Sequence, residues 1–228
     1  MPREILDRMI EHLLEDILIL DSMVEEAILR SVDALKKHDI EMAGQIYAND
    51  KAINARRFAL ENDCITTIAT QQPIMARDLR LLASIMEVNG ELERIGDYAK
   101  GIAKICQKIG KLPHIKPLVD IPRMAELSVS MLHRAIEAFI HGDTDAAQNI
   151  PSEDDLVDNL YNQVYRELIT IMFSDPSTID QANYLMWVAH NLERVADRVT
   201  NICERTIYTY TGKLLEIDVS DDESRSGT

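Results

Sequence analysis

The stretch Asn89-Gly-Glu-Leu-Glu-Arg-Ile-Gly-Asp97 returns later in the chain as Ala189-His-Asn-Leu-Glu-Arg-Val-Ala-Asp197. Glu93 and Asp97 are both matched at an offset of 100, by Glu193 and Asp197, with no gap between them. A duplication of this kind constrains the fold strongly, because each copy must be one supersecondary unit. Around the first copy, apolar residues fall at Leu81, Ile85, Val88, Leu92, Ile95, Ala99, Ile102, Cys106 and Ile109. Steps of four and three alternate throughout, which is the seam of a helix packed in a bundle. The second copy keeps the seam at Leu185, Val188, Leu192, Val195, Val199 and Ile202.

The duplication extends backwards. A first long helix is expected from about residue 4 to 37, with Ile5, Met9, Leu13, Leu20, Val24, Ile28, Val32 and Leu35 on its buried side. Asp39 caps a second helix that runs to about Thr70 through Ile46, Ile53, Leu60 and Cys64. Gln71-Gln72-Pro73 breaks it, and a third helix carries the first acid pair to about Ile109. Gly110, Pro113, Pro117 and Pro122 then mark the one clear linker. Beyond it His141-Gly-Asp143 takes the place of Lys37-His-Asp39, an offset of 104 that also pairs Ile28 with Leu132, Leu35 with Phe139, Ile46 with Ile150 and Ile65 with Ile169. The offset falls to 100 only across the loop Ser174-Asp-Pro176, where length changes are tolerated. Pro151 should delay or kink the start of the fifth helix.

The expected fold is therefore all-α, a tandem duplication of two antiparallel three-helix bundles made of six long helices. Residues 1–112 form the first repeat and 113–215 the second, each large enough for a core of its own. The acidic, polar segment 216–228 is expected to be disordered.

Where do the paired acids point? At ~100° per residue, Glu93 lies roughly 130° and Asp97 roughly 170° from the centre of the seam, so both are expected on the outward face, one turn apart. The second helix of each repeat adds its own pair. Asp50 and Asn54 are answered by Asp154 and Asp158 at the offset of 104. Two adjacent helices in each repeat thus offer four oxygen side chains: Asp50, Asn54, Glu93 and Asp97 in the first, Asp154, Asp158, Glu193 and Asp197 in the second. An open cage of hard oxygen donors suits Mg²⁺, Mn²⁺ or iron better than metals that prefer soft ligands. His190 stands one turn before Glu193 and could supplement the second site, although a solvated surface histidine accounts for it better.

The charge balance narrows the partners. A net charge of −15, from 39 acids against 24 bases, repels phosphate backbones and makes cations the natural small partners, so direct nucleic-acid binding is not expected. No apolar run reaches the ~18 residues of a membrane span, and the start lacks the pattern of a signal peptide, so a soluble cytoplasmic protein without membrane insertion is expected. Cys64, Cys106 and Cys203 show no ligand spacing and read as core residues. A ferritin-like di-iron site needs Glu three residues before His, but those positions hold Met9, Leu35, Lys111, Ser130, Ala138 and Trp187. No zincin motif or phosphate loop is present either, which disfavours an enzyme.

These residues resemble a known family. Pro73-Ile-Met-Ala-Arg-Asp-Leu-Arg80 followed by Leu92-Glu-Arg-Ile-Gly-Asp-Tyr-Ala99 is similar to the first-repeat signature of the PhoU phosphate-signalling proteins. Leu192-Glu-Arg-Val-Ala-Asp-Arg-Val199 and Glu204-Arg-Thr-Ile-Tyr-Thr-Tyr-Thr-Gly212 resemble its second repeat, and the likeness covers about residues 4–215. The resemblance implies a cytoplasmic negative regulator of phosphate uptake and of the phosphate-starvation response. It implies two protein partners, a phosphate ABC transporter ATPase and a sensor histidine kinase, and a homodimeric state. It also implies metal clusters, of iron, manganese, magnesium or zinc, held by Glu93/Asp97 and Glu193/Asp197 with Asp50/Asn54 and Asp154/Asp158 as accompanying ligands. Because Asn54 is a neutral amide where the second repeat has Asp158, the first site should be the weaker. The alternatives are a helical bundle serving structure or interaction without functional metal and, third, a metal-dependent enzyme.

Overall fold

The computed structural model describes residues 2–217. They form seven α-helices and two short turns of 3-10 helix. These are α1 (Pro2–Lys37), α2 (Ile40–Thr70), α3 (Ala76–Ile109), α4 (Asp120–His141), α5 (Thr144–Asn149), α6 (Asp154–Ser174) and α7 (Ile179–Thr211). Helices α1, α2 and α3 pack on one another as the first bundle; α4, α6 and α7 form the second, with α5 laid against α7. The architecture is all-α and duplicated, as the offset requires. The seventh helix arises at Pro151. Its ring denies the chain a helical hydrogen bond, so residues Ile150–Glu153 tighten into a 3-10 turn between α5 and α6.

The duplication is visible in the caps. Asp39 and Asp143 hold matching N-cap positions, where their carboxylates accept from Met42 N and Ala146 N at 2.9 Å each. Just before them the backbone turns left-handed, at His38 with φ 55° and at Gly142 with φ 70°. Glycine is required at the second of these, where a Cβ would stand 2.6 Å from the Tyr210 ring. The Tyr210 hydroxyl donates to Phe139 O at 3.0 Å and closes that corner.

Nearly the whole predicted seam is buried. Ile85, Val88, Leu92, Ile95, Ala99 and Ile102 on α3, and Leu185, Val188, Leu192, Val195, Val199 and Ile202 on α7, are fully enclosed. Three details differ. Ile5 is exposed, and the α1 seam begins instead at Leu6, Ile10 and Leu13. Steps of four from Leu13 back through Met9 to Ile5 rotate ~40° each beyond a full turn and carry the side chain off the face. Likewise, of the matched pair Ile65 and Ile169 the first is exposed and the second half-buried, and the enclosed apolar residues beside them are Cys64, as expected, and Leu168. Finally, Pro122 belongs to the first turn of α4 and not to the linker, a place where its missing N–H costs nothing.

The two bundles are packed together, α3 against α7 and α1 against α4, and their apolar residues join in one continuous core. Tyr98 and Arg198 are equivalent positions of the duplication, and they meet, with Arg198 Nε donating to Tyr98 Oη at 3.3 Å. On either side of that point the contacts run in opposite senses. Arg205, late in α7, pairs with Glu87, early in α3. Lys108, late in α3, lies over the ring of Tyr184, early in α7, 5.3 Å from its centroid. Helices α3 and α7 therefore cross antiparallel about a local two-fold axis that exchanges the repeats. The connection between bundles is itself pinned: His114 Nε2 is 3.0 Å from Leu35 O, its ring stacks on His38 with centroids 3.9 Å apart, and Ile115 N donates to Gln181 Oε1 at 2.8 Å. Of the segment 216–228 expected to be disordered, residues 218–228 lie outside the described residues, and Ile217 N donates to Glu204 Oε1 at 2.7 Å.

Candidate metal centres

Each predicted quartet lies where the second and third helices of a repeat run side by side. In the second repeat α6 supplies Asp154 and Asp158, and α7 supplies Glu193 and Asp197. The structure brings all four into one electrostatic group. Asp154 is 1% exposed, and its Oδ1 has no hydrogen-bond partner. Burial pushes the Asp154 carboxyl up to about 7, and the charges of Asp158, Asp197 and Glu193 add to that shift. Glu193 is also raised to about 7, by burial first and then by Asp197 and Asp158, with Arg194 opposing. Arg194 is engaged with Asp197 at 2.9 Å, and His190 Nδ1 stands 3.2 Å from Glu193 Oε2. Carboxylates this crowded favour uptake of a proton or a cation near neutral pH.

The first repeat answers the same demand from within. Asp50 is 5% exposed, and its Oδ2 accepts from Lys100 Nζ at 2.7 Å and from Asn54 Nδ2 at 3.0 Å. Lys100 Nζ is also 3.6 Å from Asp97 Oδ1, so the ammonium bridges the two helices. Glu93 is raised by burial and by Asp97, while Arg57 and Arg94 oppose. The residue that replaces Lys100 in the second repeat is Thr200, buried, with its hydroxyl lacking a hydrogen-bond partner.

The acids are less outward than their helical angle suggests. Asp97 is exposed, but Glu93, Glu193 and Asp197 are half-buried, and Asp50 and Asp154 are enclosed. The angle was reckoned from one seam, whereas the neighbouring α2 or α6 covers the flank. Neither quartet places three carboxylate or imidazole donors within 4.8 Å of one another; among the described residues the trio that does is Asp21, Glu25 and His133. Sequence reasoning missed that trio. Its one local signal was an aspartate set among the seam residues Ile17, Leu20, Val24 and Ile28. The donor set of the second quartet fits hard cations: four carboxylates, one of them buried with an unpartnered oxygen. That of the first fits less well, since Lys100 already holds the cation's place. The cysteines are buried free thiols, with Cys64 and Cys203 pushed up to about 12 and Cys106 to about 11, which makes them poor ligands and poor nucleophiles.

Residues 17–106 and 121–206 each match the PhoU domain. The chain belongs to the PhoU family. Among its relatives, the phosphate-specific transport system accessory protein PhoU homolog of Clostridium acetobutylicum is 36% identical over 97% of this chain and 100% of that protein. The phosphate-specific transport system accessory protein PhoU of Escherichia coli is 32% identical over 90% of this chain and 84% of that protein. Solved PhoU structures superpose closely. That of Pseudomonas aeruginosa gives a TM-score of 0.85 at 30% identity, over 91% of this chain and 99% of the other. The phosphate transport system regulatory protein PhoU of Streptococcus pneumoniae gives 0.86 at 32% identity, over 93% and 100%. Both halves of the PhoU match contain an acid quartet, so the local two-fold relates two versions of one site. No described helix is long and apolar enough to cross a membrane.

Proposed function

We propose that this PhoU-family chain is a negative regulator of phosphate uptake and of the phosphate-starvation response, acting as a cytoplasmic, homodimeric adaptor between a phosphate ABC transporter ATPase and a sensor histidine kinase. Its quartets bind iron, manganese, magnesium or zinc, the second quartet more strongly than the first. The observation that carries the metal reading is Asp154, enclosed and unpartnered among three further carboxylates. The relatives' names, as accessory proteins of phosphate-specific transport, support the pathway. Because the donors of each quartet are spread more widely than a single ion's shell, a cluster is the better fit; paired ions sit ~3.5–4 Å apart and call on a broader ring of ligands.

The metal acts on recognition and not on turnover in this reading. An occupied quartet cancels a negative patch on a protein of net charge −15, and so alters which charged surface docks there. Binding of nucleic acid directly is opposed by the same charge. In the first repeat a metal-free reading has its own support, since Lys100 bridges Asp50 and Asp97 without an ion. The test is complementation in a strain lacking its own copy. The chain carrying Glu93→Gln, Asp97→Asn, Glu193→Gln and Asp197→Asn should fold but fail to repress the starvation response when phosphate is plentiful. A variant that is folded, free of metal and fully repressing would leave the quartets as solvated faces.

A further inference from the structure

Outside the quartets, one other group of donors converges. Asp21 and Glu25 lie one turn apart on α1, and His133 lies on α4, so the trio spans the seam between the two repeats. One donor atom from each falls within 4.8 Å of the other two. Glu25 Oε1 is 3.2 Å from His133 Nδ1. Asp21 is 4% exposed, and its Oδ1 is buried with no hydrogen-bond partner. The charges that act on Asp21, those of Glu25 and of Glu137 one turn beyond His133, share its sign, and Asp21 also shares a hydrogen bond with Glu25.

We propose that Asp21, Glu25 and His133 form a transition-metal site of the zinc class that clamps α1 of the first repeat to α4 of the second. A Glu25–His133 ion pair, with Glu25 also sharing a hydrogen bond with Asp21, still leaves Asp21 Oδ1 buried without a hydrogen-bond partner. A bound cation answers it. Two carboxylate oxygens and one imidazole nitrogen make a mixed donor set that suits zinc better than the oxygen-only quartets do. Three protein donors leave further positions for water, or for Glu137. The way in is open, because the His133 side chain is 60% exposed and that of Glu25 21%. The site has no counterpart under the duplication: positions 104 residues on from Asp21 and Glu25 hold Ala125 and Val129, both buried and apolar. It is therefore independent of the quartets and can be occupied or empty without them.

The experiment uses the full chain, stripped by chelator and titrated at neutral pH with Zn²⁺ and, separately, Co²⁺. Four forms are compared: the parent, His133→Ala, Asp21→Asn, and the chain with the four neutralised quartet acids. One equivalent of Co²⁺ should give a visible ligand-field band that survives in the quartet variant and is lost in His133→Ala and Asp21→Asn. Zn²⁺ affinity at that site should fall at least ten-fold in His133→Ala, and the rise in melting temperature on adding Zn²⁺ should shrink with it. His133 is on the surface, so its variant should keep the parent's circular dichroism and decides the matter even if Asp21→Asn folds poorly. A band and stoichiometry unchanged in His133→Ala would overturn the proposal. So would a band lost only in the quartet variant, which would place the ion beside His190. No bound metal in the quartet variant would make the trio a proton-sharing ion pair, whereas a parent that binds no more metal than the quartet variant does would refute the metal reading of the quartets above and leave this site standing.

Discussion

Replacing Asp154 by Asn should stabilise the metal-free protein, and only at neutral to alkaline pH. Asp154 is ordinarily a group of pKa 3.8, held at about 7 by burial and by the carboxylates around it. The native state therefore keeps a proton that the unfolded chain has released. Stability associated with this group is fully present below about 4 and is lost as the pH rises through about 7. At about 1.4 kcal/mol per unit, the window from 3.8 to about 7 amounts to a ceiling of roughly 4 kcal/mol. Glu193 titrates in the same range and repels Asp154, so the two share part of that sum. An amide at 154 cannot ionise, and its N–H groups can donate to the carboxylates it faces.

The measurement is urea unfolding followed by circular dichroism in the presence of chelator. Asp154→Asn should gain up to roughly 3 kcal/mol on the parent at pH 8 relative to its advantage at pH 5, since about two pH units of titration are then removed, less the part shared with Glu193. Adding metal should reverse the order. The parent gains the linkage energy, about 2.7 kcal/mol at a hundred-fold excess over Kd, while the variant has lost a ligand and gains less. An Asn variant that is less stable than the parent at pH 8 without metal would refute the reasoning. So would an advantage of the same size at both pH values, which would mean that Asp154 is not under electrostatic strain.

Two further outcomes follow from the same geometry. Lys100→Met should increase metal uptake by the first quartet, because it removes the ammonium 2.7 Å from Asp50, and isothermal titration against the parent reads the added equivalent; unchanged uptake would show that Lys100 does not compete. We also propose that residues 1–112 and 113–215 fold as separate repeats: expressed apart, they should be helical, melt cooperatively at reduced temperature and re-associate on mixing through the α3 and α7 faces, whereas two molten fragments would mean that the shared core is indispensable.

Much of the fold was legible because helices announce themselves by period and end on few residue types. The seam of alternating threes and fours set α3 and α7, Asp39 and Asp143 set the starts of the next helices, and Pro151 set the break before α6. The quartets were legible as groups, since residues one turn apart share a stripe and adjacent helices bring stripes together. Their depth was not. Burial of Asp154 and half-burial of Glu193 depend on how closely α6 lies along α7, which no spacing within either helix encodes. The trio of Asp21, Glu25 and His133 was hidden for a stronger reason. Its members belong to different repeats, and they meet only because α1 packs against α4, a contact set by the local two-fold at Tyr98 and Arg198.

That two-fold makes the inequality of the quartets informative. The frames match except that α6 begins at Asp154, after the turn at Pro151, where α2 runs unbroken through Asp50; the side chains differ as well. In the first repeat the negative charge meets an amide, Asn54, and a tethered cation, Lys100, whose ammonium reaches both Asp50 and Asp97. In the second repeat the same positions hold Asp158 and Thr200, so one charge is added and the internal cation is gone. The deficit appears where it should: Asp154 and Glu193 are both raised to about 7, and Asp154 Oδ1 and the Thr200 hydroxyl are left without hydrogen-bond partners. One copy of the site thus carries its own counter-ion. In the other Arg194 pairs with Asp197, but Asp154 and Glu193 remain raised to about 7, which favours uptake of a proton or a cation. Two substitutions between repeats, Asn54 to Asp158 and Lys100 to Thr200, thus separate a quartet with a tethered cation from one that lacks it.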